Sequence, residues 1–312
     1  MRILVLGATG YLGTHVAEHL RALPDARVLV GGRSPAADVT VDLATDRAQD
    51  LAAVVAEAAP DAVVNCAGAT GGDAVTLAEV NARGPAVLCA ALREAAPRAR
   101  LVHLGSAAEY GPGEPAVRVT ESAATRPAGH YGATKLAGTV AVTASGLDSV
   151  VLRVGNPVGP GAPSTGLPGR VAALLAGLPA DSGDDPEATL RLGDLSAHRD
   201  FVDVRDVARA ARLAVTAEAP LPPVLNIGGG DPRPVRDLVR ALADAAGYRG
   251  RILERGRAGS TRSAQVSWQC SDITAAREAL GWAPAHPLDA SVAALWAATR
   301  ARPRTAEEVP AR

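Results

Sequence analysis

Arg2-Ile3-Leu4-Val5-Leu6-Gly7-Ala8-Thr9-Gly10-Tyr11-Leu12-Gly13 sets an unbroken apolar run directly against three glycines spaced three apart. A five-residue apolar run without alternation reads as a strand buried on both faces, the habit of a parallel sheet. Residues 14–23 carry helical periodicity (Val16, Ala17, Leu20). Strand, glycine turn and helix in that order let backbone N–H groups approach a phosphate at the helix N-terminus. Gly7, Thr9, Gly10, Tyr11, Leu12 and Gly13 are therefore the expected cradle of a dinucleotide. An ordinary tight turn is the plainer alternative.

Working outward, residues 27–31 form a second strand, Val39–Leu43 a third, 62–68 a fourth with its exit, 100–104 a fifth and 149–154 a sixth. Helices are expected at 46–59, at about 76–95 and around Tyr131. This alternation predicts an α/β fold with a doubly wound, Rossmann-type parallel sheet. The turn after the second strand faces the ribose of the adenosine in such a fold. It reads Gly32-Arg33-Ser34, with no acid to hold a 2′-hydroxyl. Arg33 and Ser34 suit a 2′-phosphate, which favours NADP(H) over NAD(H); a solvated turn arginine is the alternative. Asp42, beside Leu43, either accepts from the adenine amino group or caps the next helix. Cys66, Ala67 and Gly68 are small enough to let a cofactor lie close, and Asn81, on the helix expected at about 76–95, is counted among the expected cofactor contacts.

Tyr131-Gly132-Ala133-Thr134-Lys135 carries the chemistry. Lys135 is the only lysine; the other basic residues of the 32 are arginines. Arginine never gives up its proton, whereas the pKa of lysine is tunable. On a helix, positions i and i+4 share a face, so the Lys135 ammonium lies beside the Tyr131 phenol and favours its phenolate. That pair is a proton donor or acceptor for a carbonyl or alcohol. Ser106 follows the fifth strand at its C-terminal end, where open α/β sheets bind ligands.

Composition narrows the class. The formal net charge is −1, against a nucleic-acid footprint. No apolar run reaches membrane-span length. Three cysteines without a C-x-x-C pair and six scattered histidines give no metal motif and no disulfide framework. The first strand opens at Arg2 with no apolar leader ahead of it, and the expectation is a cytoplasmic protein.

The motifs taken together resemble the extended short-chain dehydrogenase/reductase family, the group that modifies nucleotide sugars by epimerisation, dehydration or reduction. The resemblance rests on the glycine turn, Asn65-Cys66-Ala67-Gly68, Ser106 with Tyr110-Gly111, and Tyr131-x-x-x-Lys135. In the second half it rests on Arg153-x-x-Asn156-x-x-Gly159-Pro160-Gly161, Arg199-Asp200-Phe201-Val202-x-Val204-x-Asp206-Val207, Asn226-Ile227-Gly228 and Leu280-Gly281-Trp282-x-Pro284. It implies Ser106, Tyr131 and Lys135 as the catalytic set, and Asn156, Arg199 and Arg262 as contacts of a nucleotide-diphosphate sugar. It implies a dinucleotide-binding domain at 1–155 and about 199–228, and a smaller α/β substrate lobe at 156–198 and 229–300. A mobile loop is expected at 177–187 and a flexible tail at 301–312. It further implies a homodimer. Dehydratases of the group carry Asp-Glu just after the serine; here Ala107 and Ala108 stand there. Ser106-x-x-Glu109-Tyr110-Gly111 is similar to the reductases of 4-keto-6-deoxy sugars. The expectation is an NADP(H)-dependent reductase, with a nucleotide-sugar epimerase as the alternative and a non-catalytic NADP-binding protein behind both.

Overall fold

A computed structural model describes residues 1–178, 188–254 and 266–301. In chain order the first half runs β1 (Arg2–Leu6), α1 (Tyr11–Arg21), β2 (Arg27–Gly32), β3 (Val39–Thr40), α2 (Ala48–Ala58), β4 (Ala62–Asn65), α3 (Ala74–Ala78), α4 (Gly84–Ala95), β5 (Arg100–Ser106), α5 (His130–Thr143) and β6 (Ser149–Val154). The second half runs β7 (Asn156–Val158), α6 (Leu167–Gly177), β8 (Thr189–Leu192), β9 (His198–Asp203), α7 (Val204–Thr216), β10 (Val224–Ile227), β11 (Pro232–Pro234), α8 (Val235–Ala245), β12 (Arg251–Glu254), α9 (Thr274–Leu280) and α10 (Leu288–Ala301).

Seven strands form one sheet in the order β10-β6-β5-β4-β1-β2-β3. Every pairing in it is parallel. The order reverses direction between β1 and β4, the place where doubly wound sheets open a crevice beyond their carboxyl ends. Alternate residues of each strand face opposite layers. Ile3, Val5, Val64, Val102 and Leu152 pack under α1 and α7, with Val16, Leu20, Val207 and Ala211. Leu4, Leu6, Val63, Leu101 and Val151 pack under α2, α4 and α5, with Leu51, Val55, Leu88, Leu92 and Val142.

A third cluster lies apart from the sheet. Val158, Val171, Leu175, Leu190, Leu192, Leu238, Leu242, Val292 and Leu295 bury one another. Around it lie a three-stranded sheet, β11-β9-β7, and a two-stranded one, β12-β8. Asp206, fully buried on α7, ties the C-terminal segment down. One carboxylate oxygen accepts the N–H groups of Ala285 and His286, both at 2.9 Å. The Trp282 indole, itself fully buried, donates to the Asp206 carbonyl at 2.9 Å.

Two expected elements differ. The strand predicted at Val39–Leu43 ends at Thr40. There Asp42 folds into a turn: its Oδ1 accepts from Ala44 N at 3.0 Å, and Asp46 Oδ2 accepts from Asp42 N at 2.8 Å. These bonds satisfy locally what a longer strand would have left to a neighbour. The helix predicted over about 76–95 begins at Ala74 and is broken by a π-helical turn, Glu79–Arg83, that contains Asn81. The mobile loop expected at 177–187 falls almost wholly outside the described residues, as do Arg262 and the tail beyond Ala301. Among the described residues no helix is long and apolar enough to cross a membrane.

Candidate active site

The glycine turn sits at the reversal of strand order. Gly7 holds φ +74°, a left-handed value open to glycine. A Cβ on Gly7 would lie 2.7 Å from the nitrogen of Ala67, in the exit of β4. A Cβ on Gly13 would lie 2.1 Å from the Gly7 carbonyl oxygen. The first glycine thus lets two strand exits meet, and the third lets α1 press onto the turn. Gly10 is exposed and is the N-cap of α1, without a side chain to shield the first N–H groups. Thr14 Oγ1 braces the turn by donating to the Ala8 and Gly10 carbonyls at 3.1 and 3.0 Å.

Beyond the turn, Thr9, residues 30–34, Ala36 and Ala37 line a cleft of about 60 Å³. Arg33 is exposed at it. Ser34 Oγ accepts from Ala36 N at 3.2 Å. The sequence shows no acid directly after β2, yet the chain returns Asp38 to it. Asp38 Oδ2 accepts from Val30 N at 2.8 Å. Short-range spacing misses this acid, since a folded-back turn places it. Asp42 is engaged in its own turn and does not cap α2, whose N-cap is Arg47. Leu43 is buried, with its side chain close enough that a Cβ on Gly84 would meet it at 3.0 Å. Arg83 donates to the carbonyls of Leu43, Ala44 and Asp46 and fixes that loop.

Asn81 is buried and holds the exit of β4. Its Nδ2 donates to the Ala69 carbonyl at 2.8 Å, its Oδ1 accepts from Ala69 N at 2.9 Å, and Thr134 Oγ1 accepts from Nδ2 at 3.3 Å. The π turn supplies the extra residue that aims Asn81 inward. A Cβ on Gly68 would lie 3.4 Å from Asn81 Oδ1 and 3.9 Å from Lys135 Nζ. Cys66, Ala67, Gly68, Asn81 and Lys135 are thus one neighbourhood. Burial pushes the Cys66 thiol up to about 12, so it stays neutral.

Ser106 ends β5 and caps a short turn, Ala107–Glu109. Its Oγ accepts from Ala108 N at 3.2 Å, and Glu109 Oε1 accepts from Ser106 N at 2.8 Å. This reciprocal capping box has a sequence signature, Ser-x-x-Glu, that marks Glu109 from the sequence alone. Glu109 is fully buried, and Arg153 Nε donates to its other oxygen at 2.8 Å. The Arg153 guanidinium also stands 4.6 Å over the Tyr110 ring. Tyr110 OH donates to Asn226 Oδ1 at 2.8 Å.

Tyr131, partly buried, and Lys135, buried, stand four residues apart on α5. A Cβ on Gly132 would lie 2.5 Å from the Ala108 carbonyl oxygen, so the start of α5 is pressed against the Ser106 turn. Thr134 Oγ1 donates to the Tyr131 carbonyl at 3.1 Å. Lys135 is 5% exposed and donates a short hydrogen bond to the Leu104 carbonyl. Burial drives its pKa down to about 8, and Glu109 and then Cys66 work against that fall.

Asn156 and Arg199 lie beyond the ends of these strands, in the small sheet, with Asn156 registered against Phe201. Asn156 Oδ1 is buried and accepts no hydrogen bond from the described residues. Arg199 is nine-tenths buried, donates to the His198 carbonyl at 2.9 Å, and has its pKa lowered by burial. The neighbouring Asp200 accepts from Gly230 N and Ser271 N at 2.8 and 2.9 Å.

A family model, NAD dependent epimerase/dehydratase family, matches residues 3–228. A dTDP-6-deoxy-L-talose 4-dehydrogenase (NAD(P)(+)) of Kitasatospora kifunensis is 36% identical across 97% of this chain and 96% of its own length. The chain belongs to the NAD-dependent epimerase/dehydratase family. The family expected from the motifs is met. Two solved structures share the whole architecture. RMD from Pseudomonas aeruginosa complexed with NADPH has a TM-score of 0.81 at 26% identity, covering 96% of this chain and 98% of that one. The UDP-glucose 4-epimerase of Thermus thermophilus, complexed with NAD, has a TM-score of 0.80 at 26% identity, covering 96% and 99%. The structures that this chain resembles thus include an NADPH complex and an NAD complex.

Proposed function

We propose that this protein is an NADP(H)-dependent reductase of a nucleotide-activated 4-keto-deoxysugar. The observation that carries the reading is the serine turn. Ala107 and Ala108 offer no proton where dehydratases are expected to carry acids. The only carboxylate of the turn, on Glu109, is buried with both oxygens engaged. What remains is one hydroxyl, one phenol and one ammonium, a set suited to carbonyl–alcohol interconversion and to no elimination. The Kitasatospora relative, named as a 4-dehydrogenase of a dTDP-deoxysugar, supports the same class.

The cradle fits a dinucleotide, because side chains at Gly7 and Gly13 would fill it. Gly7, Thr9, Gly10, Tyr11, Leu12 and Gly13 would hold its pyrophosphate, and Cys66, Ala67, Gly68, Tyr131 and Lys135 would flank its nicotinamide half, with Asn81 fixing that wall. Arg33 and Ser34 would take the 2′-phosphate. When bound, the nicotinamide supplies or accepts a hydride. The rest is chemistry of this chain. Ser106 Oγ accepts from the backbone, leaving its hydrogen free to donate to the substrate oxygen. Tyr131 gives that oxygen its proton. Lys135 stabilises the phenolate left behind. Asn156 and Arg199 face the diphosphate, for which a guanidinium is well shaped. The third hydrophobic cluster supports a substrate lobe over 156–198 and 229–300, set against a dinucleotide domain of 1–155 and about 199–228. Val140, 55% exposed on α5, suits pairing of that face with a second copy.

Likeness to the NAD-bound 4-epimerase, together with Asp38 beside β2, favours a second reading as an epimerase. The protein incubated with NADPH and a panel of 4-keto nucleotide sugars separates them. Stoichiometric loss of NADPH with a new alcohol supports the reductase. Interconversion of C4 epimers without net cofactor loss supports the epimerase. Tyr131→Phe is expected to lower turnover at least ~10²-fold, the scale of a general acid, with NADPH binding intact. Unchanged turnover in that variant would remove Tyr131 from its role.

A further inference from the structure

Two charged groups sit against the same three residues of β5. Lys135 Nζ donates to the Leu104 carbonyl, and Glu109 Oε1 accepts from Ser106 N at 2.8 Å. Gly105 between them has no side chain. A Cβ there would lie 2.8 Å from Glu109 Oε1, 2.7 Å from Val151 and 3.4 Å from Arg153. The missing side chain gives the carboxylate its room.

A buried ammonium needs a negative charge nearby or it loses its proton. The groups facing Lys135 come from four elements. Cys66, at the β4 exit, is a neutral thiol. His103, on β5, is fully buried and held neutral, first by burial and then by Lys135 itself. Tyr131, one helical turn earlier on α5, brings a phenol. Glu109, from the serine turn, is the carboxylate. Its own partners, the Ser106 N–H and the Arg153 guanidinium, are both donors.

We propose that Glu109 is the counter-ion and positioning residue of this site: it fixes the Ser106 peptide, is fixed by Arg153, and keeps Lys135 protonated at neutral pH. The assignment rests on the reductase reading only for its consequence, that Tyr131 then faces a cation. The Lys135 charge itself is measurable without any substrate.

The chain offers a direct probe. With a single lysine in 312 residues, protein grown on [ε-¹³C]lysine gives one Lys Cε resonance. Its titration in the full-length protein reads Lys135 alone. The expected midpoint in the native protein is about 8. Glu109→Gln is expected to move it down by about one pH unit or more, the effect of removing a nearby opposite charge. Arg153→Gln, which leaves the carboxylate uncompensated, is expected to hold or raise it. Should Glu109→Gln fail to fold by circular dichroism, the double variant E109Q/R153Q removes both ends of the ion pair and is expected to show a downward shift smaller than that of Glu109→Gln, because loss of Arg153 offsets part of it. An unmoved midpoint in the folded Glu109→Gln protein, or in the double variant, would overturn the proposal, as would a fall in Arg153→Gln. Absence of reductase activity alters none of these readings, so the two ideas fail separately.

Discussion

Replacing Gly13 with alanine puts a methyl carbon 2.1 Å from the Gly7 carbonyl oxygen and 2.9 Å from Ala8 Cα. Carbon and oxygen ordinarily approach to about 3.3 Å. The helix would therefore have to lift by about 1 Å. It cannot lift freely, because Val16 and Leu20 on the same helix are fully buried in the core under the sheet. Overpacking of this kind costs about 1–3 kcal/mol. The better helix propensity of alanine offsets about 1 kcal/mol of that at most. A displaced turn would also misplace a bound pyrophosphate, and a misplacement of ~1 Å costs on the order of 10²-fold in function. Gly10→Ala is the control. Its Cβ meets only the Gly7 oxygen, at 3.3 Å, its φ of −80° suits any residue, and it is exposed. Stability should stay within about 0.5 kcal/mol. NADPH affinity should still fall about tenfold, or 1.4 kcal/mol, as the methyl covers the helix N-terminus. Urea denaturation and calorimetric titration with NADPH measure both. A Gly13→Ala protein as stable as the native one would refute the packing argument. A Gly10→Ala protein with native affinity would refute the placement of a phosphate there.

Arg33→Gln should weaken NADPH by about 10–100-fold, the worth of a charge-assisted hydrogen bond, and leave NADH unchanged. An unaltered NADPH-to-NADH ratio in competition binding would assign the cleft to Asp38 instead. Lys135→Met should stabilise the protein at pH 7. The folded pKa of about 8 lies below the ordinary 10.5, so between those values the unfolded chain binds the extra proton and native stability rises with pH. The gain from methionine, on the order of 1–3 kcal/mol at pH 7, should shrink between pH 8 and 10. A gain that grew with pH, read from urea midpoints, would reverse the sign of the argument.

The sheet was legible because its information is local. β1, the glycine turn and α1 are contiguous, and β1, β4, β5 and β6 are short, mostly apolar runs, whereas β3 stops after two residues and β10 carries a buried asparagine that hides its strand pattern. The site was legible where one element carries two of its members, as α5 does for Tyr131 and Lys135. Features made by distant chain segments were not. Asp38 reaches β2 only because Pro35 and its neighbours turn the chain back. The π turn around Asn81 is a tertiary adjustment that helical periodicity cannot register. Arg153 was visible as part of a motif, but its bond to Glu109 joins two segments 44 residues apart.

That same ion pair explains why the serine turn is wired so far from itself. Arg153 stands over Tyr110, Tyr110 donates to Asn226, and Asn226 in turn donates its Nδ2 protons to the Val119 and Asp272 carbonyls at 2.9 and 3.1 Å. Glu121 Oε1 accepts from Asn226 N at 2.8 Å. Gln269 Nε2 donates to the Ala107 carbonyl at 2.9 Å, closing the circuit back onto the serine turn. Each of these groups is a polar atom taken from water, and leaving one unpaired costs about 1–3 kcal/mol. A turn that must present a single hydroxyl in a fixed direction gains from such a circuit, because Ser106 can then shift only if several buried bonds break together. The long loop after β5 and the segment carrying Gln269 and Asp272 are in this way parts of the serine's support, marking packing against the site as much as contact with a ligand.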